Sequence, residues 1–227
     1  MIVSIMQPTF LPWLGYFHLM IKSDLFILLD DVQFEKRSWQ QRNKFIISQK
    51  ESFLTIPVNS KNKFNQKINE VLIDNNQFWK DKHLKSFRHN YSKHAFFKEI
   101  FELITNAYNK EFKTLLELNS FLILAIKEYL SIKTKIELSS QFSISTRKEN
   151  RLLDLLKIIG AKKYLSPIGS KEYLGEGNIL KKENIELEYI NYQCRPYLQK
   201  NNKKFIDHLS IIDAMFNLGL ETKNIIK

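Results

Sequence analysis

The chain has 227 residues, 44% hydrophobic and 13% aromatic, with five Pro and six Gly, a composition that excludes disordered, collagen-like and disulfide-dense classes. Lys and Arg total 35 against 24 Asp and Glu, a net charge of +11 at pH 7, yet 29 of the 35 are Lys scattered through a chain rich in Ile and Asn. That spread disfavours a nucleic-acid surface, leaves anionic small molecules as compatible ligands, and makes the local spot at Lys200, Lys203 and Lys204 a solvated loop.

No apolar run approaches the roughly 20 residues that cross a bilayer, so no membrane span is expected. The opening residues lack the basic segment, long apolar stretch and cleavage site of a secretory signal, which predicts a cytoplasmic location. Cys194 is the single cysteine, in keeping with a reducing compartment; as a nucleophile it would want a base beside it.

In chain order, Ile2 to Met6 reads as a strand, ended by an irregular loop between Pro8 and Pro12. Leu14 to Ile21 suits a buried helix and Leu25 to Leu29 a fully buried strand. Strand, loop, helix and strand together imply two parallel neighbours in an α/β sheet. Phe53 to Val58 and Ile68 to Ile73 read as two further strands able to form a hairpin, and Gln33 to Asn43 as a polar loop.

From about residue 76 to 130 the apolar positions recur at three and four residues, without Pro, which predicts two or three helices inserted into or covering the α/β part. Strand and helix then alternate again: a strand over Lys135 to Phe142, a helix over Glu149 to Ile159 ending at Gly160, and a short strand over Lys163 to Leu165. A last strand spans Ile185 to Tyr192, and a final helix from Ser210 to Leu218 ends at Gly219. The fold class expected is α/β, a mostly parallel sheet flanked by helices. One unit over residues 1–227, with a helical subregion at 76–130, is favoured over two separable domains.

Asp30 and Asp31 follow the second strand directly, at the carboxyl edge where open α/β sheets bind ligands. They are the expected catalytic residues; because neighbours on a strand point to opposite faces, only one should look into a cleft. Gln7 and Tyr16, flanking the Pro-rich loop, are expected to bind substrate, as is Gln33. Arg42 with Asn43 would hold an anionic group, and Trp39 could stack on a base or sugar. Ser166, Gly169, Ser170 and Tyr173, after the Lys163 strand, offer hydroxyls and close backbone approach, and Tyr197 and Gln199 add polar donors. The five histidines show no HExxH pairing and no cysteine partners, so no metal site is expected. GxSxG and GxGxxG are also missing, which argues against an α/β hydrolase or a dinucleotide dehydrogenase.

Several ordered blocks together resemble one family. They are Gln7 to Phe17 (QPTFLPWLGYF), Ser23 to Phe26 (SDLF), Asp30 to Phe34 (DDVQF), Gln41 to Asn43 (QRN), Tyr164 to Leu174 (YLSPIGSKEYL) and Leu209 to Gly219 (LSIIDAMFNLG). The pattern is similar to that of the WbqC-like proteins over nearly the whole chain. One departure is Cys194-Arg195, where the family pattern leads one to expect a His before Pro196. If that His has a chemical role in relatives, this chain differs in activity.

The resemblance implies a bacterial protein of O-antigen or capsule biosynthesis, acting beside enzymes that make nucleotide-linked amino sugars. The activity expected is acyl or aminoacyl transfer to a nucleotide-activated amino sugar, with a nucleotide sugar or acyl donor as small-molecule partner and no cofactor specified. A nucleotidylyltransferase is an alternative, although its pair of loop histidines is missing and only His18 lies near. A non-catalytic accessory protein of the same pathway is the other.

Overall fold

Ile2–Met6 forms β1, Leu14–Ile21 α1, Leu25–Leu28 β2, Arg42–Ile47 β3 and Lys50–Thr55 β4. Three long helices follow, α2 (Trp79–Tyr91), α3 (Phe97–Tyr108) and α4 (Leu115–Tyr129). Then come β5 (Lys135–Leu138), α5 (Lys148–Ile159), β6 (Lys163–Pro167), the one-turn helices α6 (Lys171–Leu174) and α7 (Asn178–Lys181), and β7 (Glu186–Ile190). Helices α8 (Ile211–Leu218) and α9 (Thr222–Ile226) close the chain. This computed structural model describes residues 1–200, 202 and 204–227. Asn201 and Lys203, and with them part of the basic spot near Lys200, lie outside the described residues.

The chain divides into two compact units, each assembled from three separated segments. The first comprises Met1–Gln7, Gly15–Asp31 and Ile132–Gln193; the second comprises Pro8–Leu14, Val32–Ser131 and Cys194–Lys227.

The first unit is a five-stranded, all-parallel sheet in the order β5-β2-β1-β6-β7. β2 is apolar and buried throughout and β1 is apolar but for one residue, because both faces are covered, as the continuous run in β2 foretells. One face presents Val3, Ile5, Leu25, Ile27 and Tyr164 to Leu152, Leu155 and Leu156 of α5 and to Leu174 and Leu180. The opposite face carries Phe26, against which the Tyr16 ring of α1 packs edge-on at 5.0 Å. Ser4, the one polar residue inside β1, is satisfied by Ser23 Oγ at 2.7 Å. α5 ends at Gly160, in the left-handed conformation at φ +70°, as its sequence predicts.

The second unit contains a two-stranded hairpin and the helices α2, α3, α4, α8 and α9. The hairpin is the main departure from expectation. β3 pairs with β4 in antiparallel register, Ile47 opposite Lys50, so the turn is the pair Ser48-Gln49, both at positive φ (51° and 62°). That is type I′ geometry achieved without the Asn-Gly or Asp-Gly that normally announces it. Residues 42 and 43, expected in a loop, therefore begin a strand, and Ile68–Glu70 is a single 3-10 turn. Of the expected pairing only an isolated bridge, Val58 with Ile73, remains.

The helical stretch resolves into three helices. α4 starts with the capping box Thr114-x-x-Glu117, in which Thr114 Oγ1 accepts from Glu117 N–H at 3.2 Å and Glu117 Oε2 accepts from Thr114 N–H at 3.0 Å. Phe45 of the hairpin meets Phe87 of α2 edge-on at 5.2 Å, and Tyr91 stacks on Phe216 of α8 at 4.4 Å. Aromatic contacts of this kind join the hairpin and helices into one core. Among the described residues no helix is long and apolar enough to cross a membrane.

Candidate functional site

The strand order of the first unit reverses at β1. From β1 the chain moves outward to β2 and β5, then returns to the other side of β1 as β6 and continues to β7. Connections diverge at such a reversal and leave a crevice at the carboxyl edge, the usual ligand position in open parallel sheets. Gln7 follows β1 there and is half-buried. β6 pairs with β1 through Ser4 and Leu165, so Ser166 emerges at the same edge.

Asp30 and Asp31 lie just past the end of β2, beside the end of β5, since Leu28 is paired with Leu138. The expectation that they point to opposite faces is not met, because the extended strand stops at Leu28 and both side chains turn to the residue after β5. Ser139 Oγ lies 3.0 Å from Asp30 Oδ1 and 2.5 Å from Asp31 Oδ1, while accepting the Asp30 backbone N–H at 3.1 Å. One hydroxyl proton thus serves two adjacent carboxylates. Asp30 is fully buried and also accepts the Ser140 N–H at 2.9 Å, which locks the β5 exit to the β2 exit. Asp31 is the more accessible, and its Oδ2 pairs with the Arg151 guanidinium of α5. Arg151 further donates to the carbonyl of Ile144 at 2.9 Å.

Ser139 and Arg151 were not singled out from sequence. The strand expected over Lys135 to Phe142 ends at Leu138 and Ser139–Phe142 is a 3-10 turn, so Ser139 was hidden inside an expected strand. Arg151 was hidden because an Arg on an amphipathic helix ordinarily marks the solvent face.

On the β6 side, Ser170 Oγ donates to the Pro167 carbonyl at 2.8 Å and lies 2.5 Å from the Ser166 hydroxyl, itself fully buried. The two serines shape the turn leaving β6. Tyr173 is exposed, and a Cβ added at Gly169 would meet nothing within 4 Å, so close backbone packing is not what holds glycine there. Tyr16, expected to bind substrate, is instead a buried ring of α1 whose hydroxyl has no hydrogen-bond partner in the structure. Burial raises its phenol well above the usual value.

The remaining expected residues belong to the second unit and serve mainly as internal ties. Asn43 Nδ2 donates to the carbonyls of Phe10 and Leu11 at 2.9 and 2.8 Å, and its Oδ1 accepts from Lys44 N–H. This grip holds Leu11 at φ 41°, a strained value for a branched residue. Asn43, expected to hold an anionic group, is in this structure a clamp on the Pro-rich loop. Asn119 of α4, unsuspected from sequence, donates to Pro8 O and Gln40 O at 3.0 and 2.7 Å. Gln33 is exposed and donates to Phe64 O at 3.2 Å. The Arg42 guanidinium lies over the Phe53 ring at 4.2 Å.

Tyr197 and Gln199 also make internal bonds. Tyr197 donates to Asp213 Oδ2 at 2.7 Å, and Gln199 is buried with Nε2 on Ile206 O at 2.7 Å and Oε1 accepting Ile206 N–H at 2.8 Å. They fasten the segment before α8 to Asp213, whose carboxyl is raised above its ordinary value by burial, although the bonds to Tyr197 and Tyr91 oppose the shift. Burial, then the nearby Asp207 and Asp213 carboxylates, push the Cys194 thiol up to about 11, which leaves it a poor nucleophile. Among the described residues no cluster of three or more His, Cys, Asp or Glu is placed to hold a metal ion.

No solved structure gives a significant match to the chain. A protein of Mycobacterium tuberculosis, described as uncharacterized protein Rv1507c, is 35% identical over 227 residues, covering 99% of this chain and 97% of its own. The WbqC-like protein family model matches residues 7–225, from the strand-end glutamine to the last helix. With the clamped Pro-rich loop, the paired aspartates after β2 and the serine turn after β6 all inside that span, the chain belongs to the WbqC-like protein family.

Proposed function

We propose that the chain is a group-transfer enzyme of bacterial surface polysaccharide biosynthesis, moving an acyl or aminoacyl group to the amine of a nucleotide-activated amino sugar. The observation that supports this reading is the carboxyl edge of the parallel sheet, where Gln7, Asp31 and the serine turn follow the ends of β1, β2 and β6 at a reversal of strand order. The resemblance set out above supports the pathway. Asp31 is the reacting group, since Asp30 is buried and committed to the β5 exit.

In this reading the sugar amine attacks the donor carbonyl carbon, the new carbon–nitrogen bond forms as the donor's carbon–sulfur or carbon–oxygen bond breaks, and the amine proton passes to Asp31. A carboxylate has about four lone-pair directions, so bonds to Ser139 and Arg151 orient Asp31 and still leave it able to accept. Gln7 and Tyr173 contact polar parts of the substrates, and Ser166 with Ser170 hold the turn that presents Tyr173.

The test is mass spectrometry of nucleotide amino sugars incubated with the protein and acyl-coenzyme A or aminoacyl donors. A mass gain on the sugar supports the reading, with Asp31→Asn slowing turnover at least about 100-fold in protein that still unfolds cooperatively above the assay temperature. No product from any donor overturns it, and full activity in Asp31→Asn removes Asp31 from the mechanism.

A further inference from the structure

The loop from Glu35 to Gln41 inverts the usual order of burial. Its glutamines are inside, Gln40 at 1% and Gln41 at 7% exposure, while Trp39 between Ser38 and Gln40 stands 48% exposed. Tryptophan is ordinarily among the most buried side chains on average. The exposure does not come from slackness. Trp39 O accepts from Phe10 N–H at 2.9 Å and Gln40 O from Asn119 Nδ2 at 2.7 Å. Gln40 Oε1 accepts from Glu35 N–H, Gln41 Oε1 from Arg37 N–H, and Gln41 Nε2 donates to Ile56 O, with lengths of 3.0 to 3.1 Å. The backbone on both sides of the indole is bolted down, and the indole is held outward.

Beside it lies one face of the hairpin. Phe53 of β4, 41% exposed, sits opposite Lys44 of β3 and 5.9 Å from the Trp39 ring. Arg42 lies over Phe53 at 4.2 Å, and Lys44 Nζ is 5.9 Å from the Trp39 ring. Lys44 is paired with Glu51 at 2.8 Å, whereas Arg42 has no carboxylate partner among the described residues. The face therefore combines an open indole with an uncompensated guanidinium already fixed in orientation by a ring.

We propose that Trp39, Phe53, Arg42 and Lys44 form a binding platform for a nucleoside diphosphate, the base stacking on Trp39 and the phosphates lying against Arg42 and Lys44. Stacking of a base on an aromatic side chain contributes about 1–3 kcal/mol and tolerates any base, and an arginine fork suits phosphate oxygens. A single mononucleotide fits better than a strand, because only one aromatic face is open: Phe53 is covered by Arg42. The platform takes the nucleotide identity of its ligand from the reading above and its position from the hairpin's own geometry.

The experiment is isothermal titration of the full-length protein with UDP, dTDP, CDP and GDP, alongside inorganic pyrophosphate. Wild type is expected to bind at least one nucleoside diphosphate, with Trp39→Ala and Arg42→Ala each weakening it at least tenfold and Trp39→Phe restoring it to within about threefold. Pyrophosphate binding should depend on Arg42 and not on Trp39. Both side chains are exposed or half-exposed, and unchanged melting curves confirm that the variants are folded. The platform is overturned if none of the four nucleotides binds wild type, or if Trp39→Ala binds them as wild type does. Nucleotide sugars that bind Trp39→Ala normally and still undergo transfer overturn the platform and leave the transferase reading standing. Nucleotide binding that depends on Trp39, without transfer to any amino sugar, supports the platform and removes the transferase.

Discussion

The Tyr91 hydroxyl donates to Asp213 Oδ1 at 2.8 Å while accepting the backbone N–H of Ile46 at 3.1 Å. One phenol on α2 thus joins the hairpin to α8, and all three groups are buried. Tyr91→Phe keeps the ring contacts with Phe87 and Phe216 but strands a backbone donor and a carboxylate oxygen. Each unsatisfied group costs about 1–3 kcal/mol, so urea denaturation should show a loss of roughly 3 kcal/mol. A loss under about 0.5 kcal/mol would mean that water replaces the hydroxyl without penalty.

Gly219, which ends α8, sits at φ +55°, and a Cβ there would lie 2.4 Å from the Phe96 ring. Gly219→Ala combines backbone strain with overpacking and should destabilise by about 2 kcal/mol or more. Gly169 is the internal control. Alanine there meets open space and should change stability by no more than about 0.5 kcal/mol. Equal melting temperatures for the two variants would contradict the geometry.

His83 is enclosed by Trp79, Phe10 and Tyr108, with Nε2 3.2 Å from Thr55 O and Nδ1 3.1 Å from the Tyr108 hydroxyl. The carbonyl can only accept, so Nε2 carries a proton, and burial keeps the ring neutral at pH 7. Burial pushes its pKa from 6.5 down to about 4, the bond to Thr55 offsetting part of the shift. Below 6.5 the unfolded chain therefore binds a proton that the folded chain refuses. The stabilisation is fully present above pH 6.5 and is lost as pH falls towards 4, for a total of roughly 3 kcal/mol. Denaturation at pH 7 and pH 5 should show this slope, and His83→Gln should flatten it.

Cys194 should react slowly with iodoacetamide. With its thiol at about 11 against an ordinary 9.0, the thiolate fraction at pH 8 is lower by roughly 100-fold than for a free thiol. Cys194→Ser should keep whatever transfer activity the protein has. Rapid alkylation accompanied by inactivation would reopen the case for a thiol nucleophile.

The sheet was legible because both-face burial writes itself as unbroken apolar runs, as in Leu25 to Leu28, and because Gly160 and Gly219 mark helix ends. The hairpin was not, since Ser48-Gln49 carries no turn signature and its positive φ values are imposed by the pairing around it. Asp30 and Asp31 were legible as a strand-end pair; the Ser139 bridge, 108 and 109 residues away, was not, because the strand expected over Lys135 to Phe142 concealed the end of β5 at Leu138 and its adjacency to β2 depends on the sheet order. Asn43, Tyr197 and Gln199 show the limit of reading polarity as ligand chemistry. Their partners lie on other elements or across a loop, and nothing local distinguishes an internal clamp from a substrate contact.

The pairing of β2 with β5 sets an order of assembly. During synthesis β1, α1 and β2 emerge first, as two short parallel strands with both outer edges open, and the strand that covers β2 follows only after residue 131. Closing that gap carries the entropy of a loop longer than 100 residues, though the cost grows only slowly with length. The hairpin and the helices α2 to α4 are contiguous in the chain and can begin to pack while the first strands wait. The sheet that holds Asp31 contains the first strand made, and it is completed only when β6 and β7 arrive.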